Sequence, residues 1–221
     1  MDSGFELIKK LYKDSFETHG VSSSAMLMPK GRHDARFGML CQLLSDLEAP
    51  SLLDYGCGLG FLCEYLQTHR PDVHYCGMDM VPDFIGSCLQ RLGTKGRFET
   101  ISPDQVIDET FDVVYASGVF NLSTSADELE SLNYVKDRLH SLFAIARKAL
   151  VVDFLSPDVD FVQTSAQHIH YETLLDWLVP GLTRRWSLLH HYLPYEYSLV
   201  LYRDDQVLRP SNTFRELRDS D

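Results

Sequence analysis

Hydrophobic positions along this chain change period several times, and each change marks an element. Phe5, Ile8, Leu11, Tyr12 and Phe16 recur at helical spacing, which predicts an amphipathic helix over 5–18. Gly20, after His19, is its expected C-cap. Residues 21–33 are polar and broken by Pro29 and Gly31, the composition of a loop or lid. Asp34 stands where it can cap a second helix that carries Phe37, Leu40, Cys41 and Leu44 on one face. From residue 51 onward short apolar runs alternate with helical patterns. Strands are predicted over 51–55, 73–80, 97–101, 111–116, 149–154, 186–193 and 195–202, and helices over 61–69, 83–92, 129–148 and 171–178. Strand–helix alternation of this kind specifies an α/β fold with helices on both sheet faces. The expected architecture is a Rossmann-like, doubly wound, seven-stranded and mostly parallel sheet. The last two strands meet at Pro194 with almost no connection, so they should form an antiparallel C-terminal hairpin.

This pattern divides the chain without a second domain. Residues 1–50 should hold N-terminal helices and a lid packed on the core, 51–203 the sheet, and 204–221 a polar tail that frays. A chain of 221 residues with 44% hydrophobic content suits one such domain. No apolar run approaches bilayer length, and the N-terminus lacks the basic-then-apolar pattern of a secretory signal.

Charge narrows the partners. The formal net charge is −12, whereas binding to a phosphate backbone draws most of its affinity from a basic face. The expected partner is therefore a small molecule, with neither nucleic acid nor membrane. The five cysteines, Cys41, Cys57, Cys63, Cys76 and Cys88, include no CxxC pair, and four sit in apolar periodic stretches. They read as buried thiols in a reducing cytoplasm, not as a disulfide or zinc framework. No metal is expected.

The candidate chemistry begins at Asp54-Tyr55-Gly56-Cys57-Gly58-Leu59-Gly60. Glycines at a strand-to-helix turn let the backbone bend sharply and approach a ligand, and the following helix supplies free N–H groups. The second predicted strand ends at Asp79, about twenty residues on, where a carboxylate can accept hydrogen bonds from both hydroxyls of a ribose. A dinucleotide fingerprint, GxGxxG, would need glycine at position 61. This chain has Phe61 there, with glycine at 60.

Leu53-Asp54-Tyr55-Gly56-Cys57-Gly58-Leu59-Gly60 resembles motif I of the class I S-adenosylmethionine-dependent methyltransferases. Gly77-Met78-Asp79 resembles their motif II, and Phe111-Asp112-Val113-Val114-Tyr115-Ala116-Ser117-Gly118 is similar to their strand-four motif. The resemblance covers about residues 35–203. It implies S-adenosyl-L-methionine as cofactor and methyl transfer as the activity. It also implies roles. Gly56, Cys57 and Gly58 would pass beneath the methionine part, and Asp54 would orient its ammonium. Asp79 would hold the ribose, Met80 would pack on adenine, Ile101-Ser102 would stand at the usual adenine-amine contact, and Ala116 would offer its backbone carbonyl to the ammonium, with Ser117 next to it in the cofactor site. The family often has an aspartate where this chain has Ser102. For the cofactor carboxylate, Arg36 is the candidate clamp, since a guanidinium binds a carboxylate bidentately. Lys30 is a weaker one.

Transfer of an already activated methyl group needs mainly positioning. A general base is required where the acceptor is protonated, and histidine suits that task near neutral pH. His33, in the expected lid, and His168, in the connection after the fifth strand, are the leading candidates. His170, His190 and His191 follow. Pairs such as Glu128 and Glu130 read as solvated charge. The expected function is methyl transfer to an oxygen or nitrogen of a small acceptor. The alternatives are a non-catalytic S-adenosylmethionine-binding regulatory or partner protein, or an NAD-dependent oxidoreductase, which Phe61 and the lack of a Tyr-x-x-x-Lys pair disfavour.

Overall fold

The computed structural model describes residues 2–28, 31–162 and 166–203. The predicted tail at 204–221 and Lys30 lie outside them. Thirteen elements follow one another: α1 (Asp2–His19), α2 (Arg32–Leu43), β1 (Ser51–Tyr55), α3 (Phe61–His69), β2 (His74–Asp79), α4 (Pro82–Leu92), β3 (Arg97–Thr100), β4 (Phe111–Ser117), α5 (Glu128–Ile145), β5 (Ala146–Leu155), α6 (Tyr171–Gly181), β6 (Trp186–Leu189) and β7 (Glu196–Tyr202). The strands form one seven-stranded sheet in the order β3-β2-β1-β4-β5-β7-β6. β1 to β5 pair in parallel, and β7 runs antiparallel to both β5 and β6. Chain direction across the sheet reverses between β1 and β4. That is the switch point where doubly wound folds open a crevice at the carboxyl ends of their strands.

Both sheet faces are covered, and this explains the unbroken apolar runs. Leu52 and Leu53 are neighbours in β1, yet each is fully buried. Leu53 joins a layer with Val114, Leu150, Leu139 and Leu142 under α5, with Leu174 and Leu178 of α6. Leu52 joins the opposite layer with Leu40, Leu62, Ile85 and Val200 beneath α2, α3 and α4. A third, smaller cluster of Ala25, Leu59, Val81 and Phe84 receives Tyr12 and Phe16 from α1. α1 therefore docks at the end of the sheet. Gly4 lies so close to the Thr124 carbonyl that a Cβ there would collide with it.

Several boundaries differ from those read in the sequence. Gly20 does end α1, at φ 60° with its N–H donating to the Phe16 carbonyl at 2.8 Å. Asp34 is not the cap of α2. The helix begins two residues earlier, after Gly31 at φ 84°, with Asp34 inside the first turn, where the helix dipole favours a carboxylate. α5 stops at Ile145, short of 148. Ala146 pairs with Phe111 across the sheet, and Arg147 donates to the Thr110 carbonyl at 2.9 Å and to Asp112 at 3.3 Å. These contacts convert the end of an expected helix into the start of β5. The closing hairpin also has a real loop. β6 ends at Leu189, β7 begins at Glu196, and the connection crosses the open end of the sheet.

Candidate active site

Against the carboxyl ends of β1, β2, β4 and β5 lies a cavity of about 700 Å³. Its floor is Tyr55 and Gly56 from β1 and its turn, Asp79 and Met80 from β2, Ser117 and Gly118 from β4, and Leu155 from β5. Its roof comes from α1, which contributes Phe5, Ile8, Leu11 and Tyr12, and from Met26, Leu27 and Met28 of the segment that follows. The size is that of a small-molecule site.

The glycine turn is held by β2. The Gly56 and Cys57 N–H groups donate to the Met78 carbonyl at 2.7 and 3.0 Å, and the Gly58 N–H donates to Asp79 Oδ2 at 2.8 Å. Asp79 Oδ1 accepts from the Val81 N–H at 2.9 Å. One carboxylate thus ties the turn to the start of α4 and still faces the cavity. Burial pushes it up to about 6. Gly56 and Gly58 have φ 78° and 54°, a region that glycine enters at little cost. A Cβ on Gly56 would stand 2.5 Å from Val119 Cγ2, and one on Gly58 would strike Met26 Cε. The turn is a cradle that a side chain would fill.

Not every expected cofactor residue comes to this cavity. Asp79, Met80, Gly56, Ser117 and Arg36 line it. Asp54 does not. It is buried in the sheet layer facing the other way, where it accepts from the Tyr75 hydroxyl at 2.6 Å, and burial raises it to about 7. A residue alternates faces along a strand, so Asp54 falls opposite to Tyr55, which does line the cavity. The Cys57 side chain packs against Gly77 instead. Of the Ile101-Ser102 pair, Ile101 lines the cavity with Pro103, while Ser102 is exposed, with its N–H donating to Gln105 Oε1 at 3.2 Å. Ala116 is fully buried; the contact expected of it is through its backbone carbonyl, which burial of the side chain does not oppose.

Arg36 has an internal partner. Its Nε donates to Glu196 Oε2 at 2.6 Å, Nη2 pairs with the same oxygen, and Nη1 donates to Ser117 Oγ at 3.1 Å. Arg36 and Glu196 are 2% and 1% exposed, so each neutralises a charge that could not be buried alone. Arg32 donates to Glu196 Oε1 at 2.7 Å. The guanidinium therefore reaches the cavity edge through Nη1, beside Ser117 and Gly118, and its fork is occupied.

The histidine candidates separate clearly. His33 is stacked on Phe37 with ring centroids 5.4 Å apart and tilted against Phe61. It is absent from the cavity wall, and burial, helped by Arg36, lowers it to about 4. His170 and His191 are exposed, and His190 contacts the Pro194 carbonyl at 3.2 Å. His168 lines the cavity. Its Nδ1 lies 2.7 Å from the Ser156 carbonyl, an acceptor, so Nδ1 carries the proton. Nε2 is buried without a partner among the described residues.

Tyr12 and Asn121 also line the cavity. Tyr12 of α1 is half-buried over the floor, and its hydroxyl is pushed up to about 12 by desolvation and by Asp79. Asn121, just beyond β4, lines the cavity with a buried Oδ1 that has no partner among the described residues. Tyr12 stands on the apolar face of the helix predicted over 5–18, and Asn121 lies just after the strand-four run.

The fold and the glycine cradle define a doubly wound nucleoside-cofactor protein. The family model for a methyltransferase domain matches residues 53–141, the segment holding the cradle, Asp79 and the end of β4. A Mycobacterium tuberculosis protein named as a methyltransferase is 25% identical over 153 residues, covering 68% of this chain and 92% of its own length. Among solved structures, magnesium protoporphyrin IX methyltransferase from Synechocystis, with S-adenosylmethionine bound, superposes with a TM-score of 0.61 at 18% identity, over 88% of this chain and 96% of its own. A TehB-like methyltransferase from Corynebacterium glutamicum gives 0.55 at 16% identity, over 90% and 98%. A methyltransferase domain is thus matched over residues 53–141, and the fold is shared with S-adenosylmethionine-dependent methyltransferases of known structure.

Proposed function

We propose that this enzyme methylates a protonated oxygen or nitrogen of a small-molecule acceptor, with His168 as general base. The observation that carries this reading is the bare Nε2 of His168, buried at the cavity wall while Nδ1 is committed to the Ser156 carbonyl. A buried acceptor atom left unpaired is costly, and the proton of a bound acceptor would satisfy it. A formal charge of −12 and a cavity roofed by α1 favour a small acceptor over a polyanion.

The remaining residues fit the cofactor. Asp79 would hold the ribose hydroxyls, and Met80, Phe84 and Ile101 offer apolar surface to the adenine. Gly56, Ser117 and Gly118 would accommodate the methionine end, with Arg36 Nη1 at its edge. When bound, S-adenosylmethionine supplies a sulfonium-activated methyl group, which an acceptor lone pair takes while the bonding electrons stay on sulfur. His168 holds the acceptor by its proton and removes that proton as positive charge develops on the attacking atom. The Ser156 carbonyl then stabilises the imidazolium through Nδ1–H. α1 and its apolar face exclude water from the reacting centre.

The test is His168→Ala, assayed against acceptors found by a methyl-transfer screen. General-base loss should lower kcat by about 10²–10⁴-fold and leave S-adenosylmethionine affinity by calorimetry unchanged. Full turnover at every pH from 6 to 9 would eliminate the assignment.

A further inference from the structure

Of the buried side-chain polar atoms without a partner among the described residues, two belong to residues that line the cavity: His168 Nε2 and Asn121 Oδ1. Their backbones are stitched together. The Gln167 N–H donates to the Asn121 carbonyl at 2.9 Å, and Leu122 forms an antiparallel bridge with Ala166. His168 is bridged in turn to Leu155 at the end of β5. The loop after β4 and the segment leading to α6 are thus held as one wall.

Both free atoms are hydrogen-bond acceptors. Nε2 is bare in the neutral ring because Nδ1–H serves Ser156, and Oδ1 is a carbonyl oxygen. The wall around them is apolar, with Val119, Leu122, Leu155, Val159 and Phe161. Two unpaired acceptors in such a wall call for a ligand with two donors. Charge adds a second constraint. Arg32 and Arg36 on this side of the cavity are opposed by Glu196, which accepts from both, and by Asp160, which accepts from the Tyr195 hydroxyl at 2.9 Å. Among the described residues on this side, two arginines face two carboxylates, so their formal charges cancel and an uncharged substituent is favoured.

We propose that the acceptor is an uncharged, largely apolar molecule with two neighbouring O–H or N–H donors, and that Asn121 is the specificity residue that accepts from the donor not methylated. The proposal rests on His168 receiving the other donor. Asn121 Oδ1 fixes the molecule's orientation about the atom to be methylated, so it discriminates between a diol and its mono-hydroxyl counterpart.

The experiment uses 2,3-dihydroxynaphthalene and 2-naphthol, which differ by one hydroxyl, with S-adenosylmethionine-supplied enzyme and S-adenosylhomocysteine release as readout. The wild type should prefer the diol by about tenfold in kcat/KM, the size of one uncharged hydrogen bond with its unpaired alternative. Asn121→Leu should reduce that preference to about twofold or less, and Asn121→Asp, which keeps Oδ1, should restore it. S-adenosylhomocysteine binding confirms that both variants are folded. Calorimetry of the diol on His168→Ala loaded with S-adenosylhomocysteine isolates this claim from the base assignment. If His168→Ala keeps full turnover while the Asn121-dependent preference persists, the base reading falls and the specificity reading stands. A wild type that ignores the second hydroxyl, or methylates neither compound, overturns the proposal, as does a preference that survives in Asn121→Leu.

Discussion

The two ends of the cavity are built in opposite ways. The cofactor end comes from two short stretches, the glycine turn and the end of β2, joined by hydrogen bonds spanning about two dozen residues or fewer, such as Gly58 N–H to Asp79. The acceptor end is assembled from α2, the loop after β4, the segment beyond β5 and the start of β7. Its anchoring ion pair, Arg36 with Glu196, spans 160 residues. A turn that must cradle a ligand is set by local backbone geometry, which glycine spacing encodes. A wall made by apposed loops is set by packing, which is encoded only in the sum of distant contacts.

The largest expected effect tests the acceptor end. Arg36→Ala would leave the Glu196 carboxylate without its buried partner, and denaturant unfolding should show a loss of about 3–5 kcal/mol. A loss below about 1 kcal/mol would mean that the two ends do not depend on this pair. Next is the cofactor end. Gly58→Ala places a Cβ at φ 54° against Met26, a strain of about 1–3 kcal/mol, and should weaken S-adenosylmethionine binding more than it lowers thermal stability. Equal binding to wild type would show that the turn is not a cradle.

Two smaller effects, at titratable groups outside the cavity, are read by pH. Asp54 is raised to about 7 by burial from an ordinary 3.8. Its contribution to stability is then fully present below about pH 4 and is lost as pH rises through 7. Asp54→Asn keeps an acceptor for Tyr75 and removes that loss, so its melting temperature should exceed that of wild type increasingly from pH 5 to 8. A constant difference would place Asp54 outside this linkage. His33 has the opposite sign. It is lowered to about 4 from 6.5, so its contribution is present above 6.5 and is lost as pH falls through 4. His33→Leu should flatten the acid limb of the stability curve, and by less, because the ring is partly exposed.

Much of the architecture was legible in the residue pattern. Short apolar runs marked all seven strands, most clearly the inner ones, which bury both faces and read as apolar blocks. Boundaries were less legible. Ala146 and Arg147 continue a helical pattern in sequence, and become strand only because Phe111 and Asp112 of β4 lie beside them. At the site, Gly56, Gly58, Asp79 and Met80 were recognisable from spacing. Asp54 belongs to the same motif, but strand alternation turns it to the opposite sheet face. His33 and His168 were equal as sequence candidates. They differ because α2 seats one ring between Phe37 and Phe61, while the Ser156 carbonyl aligns the other at the cavity wall.

The resemblance carried by the chain's motifs implied a nucleoside cofactor with a transferable methyl group; what the sequence determined by itself was the order of elements, the glycine turn and the acidic strand end. These are properties of contiguous residues, and local sterics are enough to specify them. Tertiary structure alone decided which histidine meets the cavity, that Glu196 occupies the Arg36 fork, and that Asn121 lines the same cavity as His168. Each of these depends on side chains far apart in the chain meeting across the switch point of the sheet, where packing and the need to neutralise buried charge select the partner.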